Sequence, residues 1–72
     1  MMTIFLTSSE YKSLDQATEM LMDTIYRSCA AVEGPIPVSG NTRYLRVKPN
    51  ARLMDRMKSQ CVIPSNVKVR IK

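Results

Sequence analysis

Hydrophobic positions along the chain first alternate, then recur every three or four residues, and this rhythm runs twice from end to end. Thr3 to Thr7 (TIFLT) is β-branched and aromatic and is bounded by Ser8 and Ser9. It predicts a short strand with Ile4 and Leu6 on one face and Phe5 on the other. Leu14, Ala17, Leu21, Ile25 and Ser28 or Cys29 then recur at spacings of three and four, while Asp15, Glu19, Asp23 and Arg27 form an i, i+4 polar stripe. That is an amphipathic helix of about 16 to 20 residues. Ser8 or Ser9 is a candidate cap, and Ser13 with Gln16 offers a second capping box one turn later. Met20, Leu21 and Met22 widen the apolar stripe and read as core filler.

The helical pattern stops at Glu33-Gly34-Pro35, and GPIPV predicts an extended segment. Its two prolines cannot donate to a ladder, so it belongs at a sheet edge. Ser39 to Thr42 is a turn between two extended runs, hence a hairpin. Arg43 to Lys48 (RYLRVK) alternates, with Leu45 and Val47 on one side and Tyr44, Arg46 and Lys48 on the other. Asn50 is a candidate N-cap for a second helix carrying Leu53, Met54, Met57 and Cys61 at helical spacing, with Arg52, Arg56 and Lys58 outward. Ile63 to Asn66 breaks that helix. Val67 to Lys72 then alternates, with Val67, Val69 and Ile71 toward the core and Lys68, Arg70 and Lys72 away from it.

The order strand, helix, strand, strand, helix, strand is a doubled βαβ. It predicts an α+β, ferredoxin-like sandwich, with a four-stranded antiparallel sheet and both helices on one face. The outward sheet set is then Phe5, Tyr44, Arg46, Lys48, Lys68, Arg70 and Lys72. Rings suited to stacking stand there among cations suited to phosphates.

Charge sharpens this picture. The chain has 72 residues and a net charge of +5, and its length predicts one domain across residues 1–72. Up to Gly40 there are two bases against five acids, and from Asn41 onward nine bases against one acid, so the halves carry −3 and +8. Anion binding therefore belongs to the second half, and RNA or DNA is the leading partner. His is absent and Cys occurs twice, at Cys29 and Cys61. Tetrahedral metal sites, a His-based triad and a disulfide framework lack their parts. No cofactor and no metal is expected, and each thiol reads as a reduced, small buried hydrophobe. No apolar run approaches the roughly 18 residues of a membrane span, and the opening MMTIFLT lacks a basic leader. Asp15 with Glu19 is a poor catalytic pair on a polar helix face, and Gly34 and Gly40 make no phosphate loop; the chain is not expected to be an enzyme or to take a small-molecule substrate.

Several segments resemble one family, the ribosomal small-subunit protein S-ten family, called NusE in its transcription role. IFLTS followed by YKSLDQA is similar to that family's first strand and its Lys-x-Leu-x-x-Ala helix. Val32-Glu33-Gly34-Pro35-Ile36-Pro37-Val38 resembles its V-x-G-P-I-P-L segment. Pro64 to Lys72 resembles its closing P-x-G-V-x-I-x-I-K, with Asn66 in the glycine position, where Asn tolerates left-handed geometry. The likeness covers nearly the whole chain and implies the ferredoxin-like order that periodicity gives independently. It also exposes a departure, because the family's long hairpin extension is replaced by the four residues Ser39 to Thr42. The family's His-Lys-Arg run is likewise represented only by Arg43, Arg46 and Lys48.

The resemblance implies a structural RNA-binding protein of the small ribosomal subunit, ribosome-associated in a cytoplasm or an organellar matrix, whose partners are rRNA and neighbouring subunit proteins. Arg43, Arg46, Lys48, Arg52, Arg56, Lys68, Arg70 and Lys72 are the expected phosphate partners, with Tyr44 and Phe5 for stacking. The alternative is a NusE-like antitermination factor or a phage-encoded mimic that binds a NusB-like protein, RNA polymerase and nascent RNA. Asp15, Glu19 and Asp23 with Pro35, Ile36 and Pro37 would then form its protein-facing surface.

Overall fold

A computed structural model describes residues 1–59 and 63–72. The elements run β1 (Met2–Thr7), α1 (Tyr11–Arg27), β2 (Ala31–Ser39), β3 (Thr42–Lys48), α2 (Ala51–Ser59) and β4 (Lys68–Ile71). The strands form one antiparallel sheet in the order β2-β3-β1-β4. Each helix thus connects two strands separated by a third, giving two interleaved split βαβ units and the expected ferredoxin-like α+β sandwich. Cys61, placed by periodicity at the end of the second helix, lies outside the described residues.

The core sits between the sheet and the two helices. Ile4 and Leu6 of β1, Leu45 and Val47 of β3, Leu14, Ala17, Leu21 and Ile25 of α1, and Leu53 of α2 are all buried. Since side chains alternate across a strand, these positions give β1 and β3 one dry face against both helices. Each buried Val, Leu or Ile contributes about 1.5–3 kcal/mol relative to exposure, so the eight of these positions other than Ala17 dominate the stability of a chain this short.

Helix α1 begins one residue later than a serine cap would set it. Glu10 is the N-cap residue and makes no side-chain cap bond. Ser8 instead accepts a hydrogen bond from the Glu10 N–H at 3.2 Å, while its own N–H donates to the Asn41 carbonyl at 3.0 Å. Neither Ser8, Ser9 nor the Ser13–Gln16 box caps the helix; Ser8, two residues before Glu10, is spent on the turn out of β1. At the other end Ala30 N–H donates to the Ile25 carbonyl and Cys29 N–H to that of Tyr26, at 3.2 and 3.1 Å. This is a Schellman closure with Cys29 in the left-handed position, at φ 56°. Cys29 is exposed rather than buried, since a residue at that position points away from the helix it ends.

Asn50 caps α2 as its position implies. Its Oδ1 accepts from the Leu53 N–H at 2.8 Å, and its Nδ2 donates to the Ser28 carbonyl at 2.9 Å. One side chain thus starts the second helix and ties it to the end of the first. Asn66 does not adopt left-handed geometry, which among the described non-glycine residues is confined to Cys29. Its amide instead donates to Glu10 Oε2 and Ser13 Oγ at 2.9 and 2.8 Å, fastening the turn before β4 to the first turn of α1.

Strand β2 is the edge strand that its prolines require, with register shifts on either side of the Ile36–Pro37 pairings. Gly34 sits at φ +111°, and a Cβ there would lie 2.9 Å from the Tyr44 carbonyl oxygen and 3.1 Å from Ile36 N. Only glycine fits such a close approach of β2 to β3. At the opposite edge, Val69 and Ile71 pair with Leu6 and Ile4 on the helix side, yet they are 40% and 51% exposed. The inward reading of these two residues is right for direction and wrong for burial. Helix α2 stands off from β4, and an apolar groove of about 400 Å³ opens between them, lined also by Met54, Met57 and Ile63.

Candidate nucleic-acid interface

The face of the sheet away from the helices is uncovered, and the strand register arranges it in rows. Ile36, Tyr44, Phe5 and Arg70 are cross-strand neighbours in sequence across all four strands. On one side of this row stand Thr42, Thr7 and Lys68. On the other stand Glu33, Arg46 and Thr3, with Lys72 hydrogen-bonded through its backbone to Thr3 at 2.8 and 2.9 Å. An aromatic row therefore lies between a hydroxyl row and a charged row, with strand-to-strand steps of about 4.8 Å.

The rings of Phe5 and Tyr44 lie 5.8 Å apart, centroid to centroid, and are tilted by 37°. The Lys72 ammonium stands 5.6 Å above the Phe5 ring, within range of a cation–π attraction. Thr7 and Thr42 bring their hydroxyls to 3.3 Å of each other. Phe5, Thr7, Thr42, Arg70 and Lys72 together line a shallow depression of about 220 Å³. The Thr42 hydroxyl donates its proton to Asn41 Oδ1 at 3.2 Å, so Thr7 donates to Thr42 and the pair presents acceptor lone pairs to a polar ligand.

Charge on this face is graded from edge to edge. Lys68, Arg70 and Lys72 line the β4 side and are exposed, without an acid paired to any of them among the described residues. Toward β2, Arg46 lies 4.0 Å from Glu33, which offsets its charge. Lys48 continues the same outward parity one step beyond Arg46 and is exposed. Long cationic side chains on an unobstructed sheet can follow a polyanion, and the β4 side is the more attractive for one.

Three of the expected phosphate partners are elsewhere. Arg43 is opposite Leu6 and so faces the helices. It is ion-paired to Asp15, lies 3.4 Å from the Thr18 hydroxyl, and stacks its guanidinium 5.9 Å from the centre of the Tyr11 ring. With 20% of its side chain exposed, Arg43 is a structural clamp between β3 and α1. Arg52 and Arg56 belong to α2, in the layer on the opposite side of the sheet. A ligand on the open face cannot reach them without wrapping around the β4 edge.

The expected protein-facing residues are divided as well. Asp15 is engaged by Arg43, and Asp23 pairs with Arg27 at 3.1 Å, leaving Glu19 exposed between them on α1. Pro35, Ile36 and Pro37 form the exposed outer edge of β2, with Ile36 opposite Tyr44 on the open face and Pro37 opposite Arg43. Thr7 and Thr42 carry neither the charge nor the ring that singles out the other residues of this face in the sequence. Their signal was parity, since Thr7 shares a face with Phe5, and Thr42 with Tyr44.

Among the described residues no group of three or more His, Cys, Asp or Glu could hold a metal ion, and no helix is long and apolar enough to cross a membrane. No family model matches the chain, and no curated protein matches it.

Proposed function

We propose that this chain is a structural RNA-binding protein of the small ribosomal subunit, similar to the S-ten family in its body and shortened in its hairpin. The observation that carries the reading is the open sheet face, where Phe5 and Tyr44 lie beside Arg70, Lys72, Lys68, Arg46 and Lys48. Cations neutralise phosphates without reading sequence, so specificity would come from RNA shape and from neighbouring proteins. The resemblance of the Val32–Val38 and Pro64–Lys72 segments supports the ribosomal assignment. Association with the ribosome in a cytoplasm or organellar matrix is part of the same proposal.

One observation favours a second reading, a NusE-like module that joins a NusB-like protein and nascent RNA. The hairpin closes at Gly40–Asn41, where the Asn41 side chain accepts from Ser39 and Thr42 at 2.9 and 3.2 Å and its carbonyl is held by Ser8. This compact end leaves nothing to reach into a subunit. Sucrose-gradient sedimentation of native lysate at low and moderate salt, with the chain followed by mass spectrometry, separates the two. Stoichiometric migration with small subunits at moderate salt is expected from the first reading. Migration near the top, or only with RNA polymerase and a NusB-like protein, refutes it in favour of the second.

A further inference from the structure

We infer that the open face takes RNA as a single strand, with one base on each of the Phe5 and Tyr44 rings and the phosphates along the Lys68–Arg70–Lys72 edge. The inference rests on the RNA-binding reading above and specifies the ligand that the same face accepts. In a duplex the flat faces of the bases are covered by their neighbours, so rings lying on a sheet have nothing to stack on. Unpaired bases can splay onto them. The 37° tilt between the two rings suits bases that have left a regular stack.

Charge fixes which way such a strand lies. Glu33 stands beside Arg46 at the β2 side, whereas the three cations of the β4 side are free of carboxylates among the described residues. Lys68, Arg70 and Lys72 alternate along one strand, so their attachment points repeat at about 6.7 Å. A backbone following them directs its bases inward, across Phe5 toward Tyr44. Lys72 now covers Phe5 at 5.6 Å; an arriving phosphate draws its ammonium aside, and the base takes its place. The paired hydroxyls of Thr7 and Thr42 then meet the base edge. With the Thr42 proton held by Asn41 and the Thr7 proton by Thr42, the pair offers acceptor lone pairs to a base amino group.

The test uses the full chain and a labelled single-stranded RNA of about eight nucleotides, within the usual site size of such surfaces, together with the same sequence annealed to its complement. Fluorescence anisotropy should give at least tenfold tighter binding of the single strand. Phe5→Leu and Tyr44→Leu should each weaken single-strand binding about tenfold and leave duplex binding unchanged, while Tyr44→Phe should retain affinity. A 2-aminopurine base in the oligonucleotide should be quenched on binding to the wild-type chain, a direct readout of stacking that does not depend on any variant folding. Equal affinity for the duplex, or absence of quenching, overturns the single-strand inference and leaves the RNA-binding reading standing. If neither RNA binds at low salt, both fall.

Discussion

Replacing Gly34 with Ala tests whether the approach of β2 to β3 is as tight as the geometry states. The new methyl group would meet two backbone atoms, the Tyr44 carbonyl oxygen at 2.9 Å and Ile36 N at 3.1 Å, and then Leu45 Cδ2 at 3.4 Å. Neither backbone atom can move without shifting a strand. Holding an alanine at positive φ costs about 1–2 kcal/mol, and forcing atoms into a packed site costs about 1–3 kcal/mol more. The reduced freedom of the unfolded chain returns about 0.4–1 kcal/mol, which leaves a net loss of about 3 kcal/mol. A chain of 72 residues holds only about 4–11 kcal/mol in total. At about 4–8 °C per kcal/mol, Tm should fall by about 12–24 °C. Gly40 is the matched control, because a Cβ there meets nothing within 4 Å, and Gly40→Ala should change stability by less than about 1 kcal/mol. Urea and thermal unfolding followed by circular dichroism would measure both variants. Equal effects at the two glycines would refute the steric argument.

Other substitutions probe the remaining fastenings. Asn50→Ala removes both the α2 cap and the bond to the Ser28 carbonyl and should cost about 1–2 kcal/mol by urea unfolding; Asn50→Asp, which keeps only the cap, should fall between Ala and wild type. Cys29→Gly relieves a left-handed non-glycine residue and should raise stability by about 1 kcal/mol, whereas Cys29→Ala should not. Arg43→Ala should lower stability by about 1 kcal/mol through its lost packing and its partly solvated pair with Asp15. It should weaken RNA binding less than Arg70→Ala does, by anisotropy, since Arg43 faces the helices.

Much of the architecture was legible because two periods were clean. The spacing of Leu14, Ala17, Leu21 and Ile25 identifies the buried stripe of α1, and the prolines of GPIPV mark β2 as an edge. Arg43 shows how a legible signal was overruled by composition. It shares parity with Leu45 and Val47, which puts it on the helix side, but its charge drew it into the phosphate set. Val69 and Ile71 show a true limit, because parity reports direction but not whether a helix lies close enough to cover a residue. Cys29 could not be read from its neighbours, since the left-handed position at a helix end favours Gly and gives Cys no mark of its own. A serine cap at Ser8 or Ser9 fails for a related reason, since tertiary bonds hold Ser8 in the turn out of β1 and Glu10 takes the N-cap position with no side-chain bond.

The central claim is that cations on the open sheet, rather than those on α2, meet RNA. Its most direct test is the salt dependence of RNA affinity in wild type, in Arg70→Ala with Lys72→Ala, and in Arg52→Ala with Arg56→Ala. Each phosphate contact to a single strand contributes about −0.7 to the slope of log K against log salt. The sheet double variant should flatten that slope by about 1.4, and the α2 double variant should leave it unchanged. A slope that flattens with the α2 pair and holds with the sheet pair would contradict the account and move the interface to the helix layer.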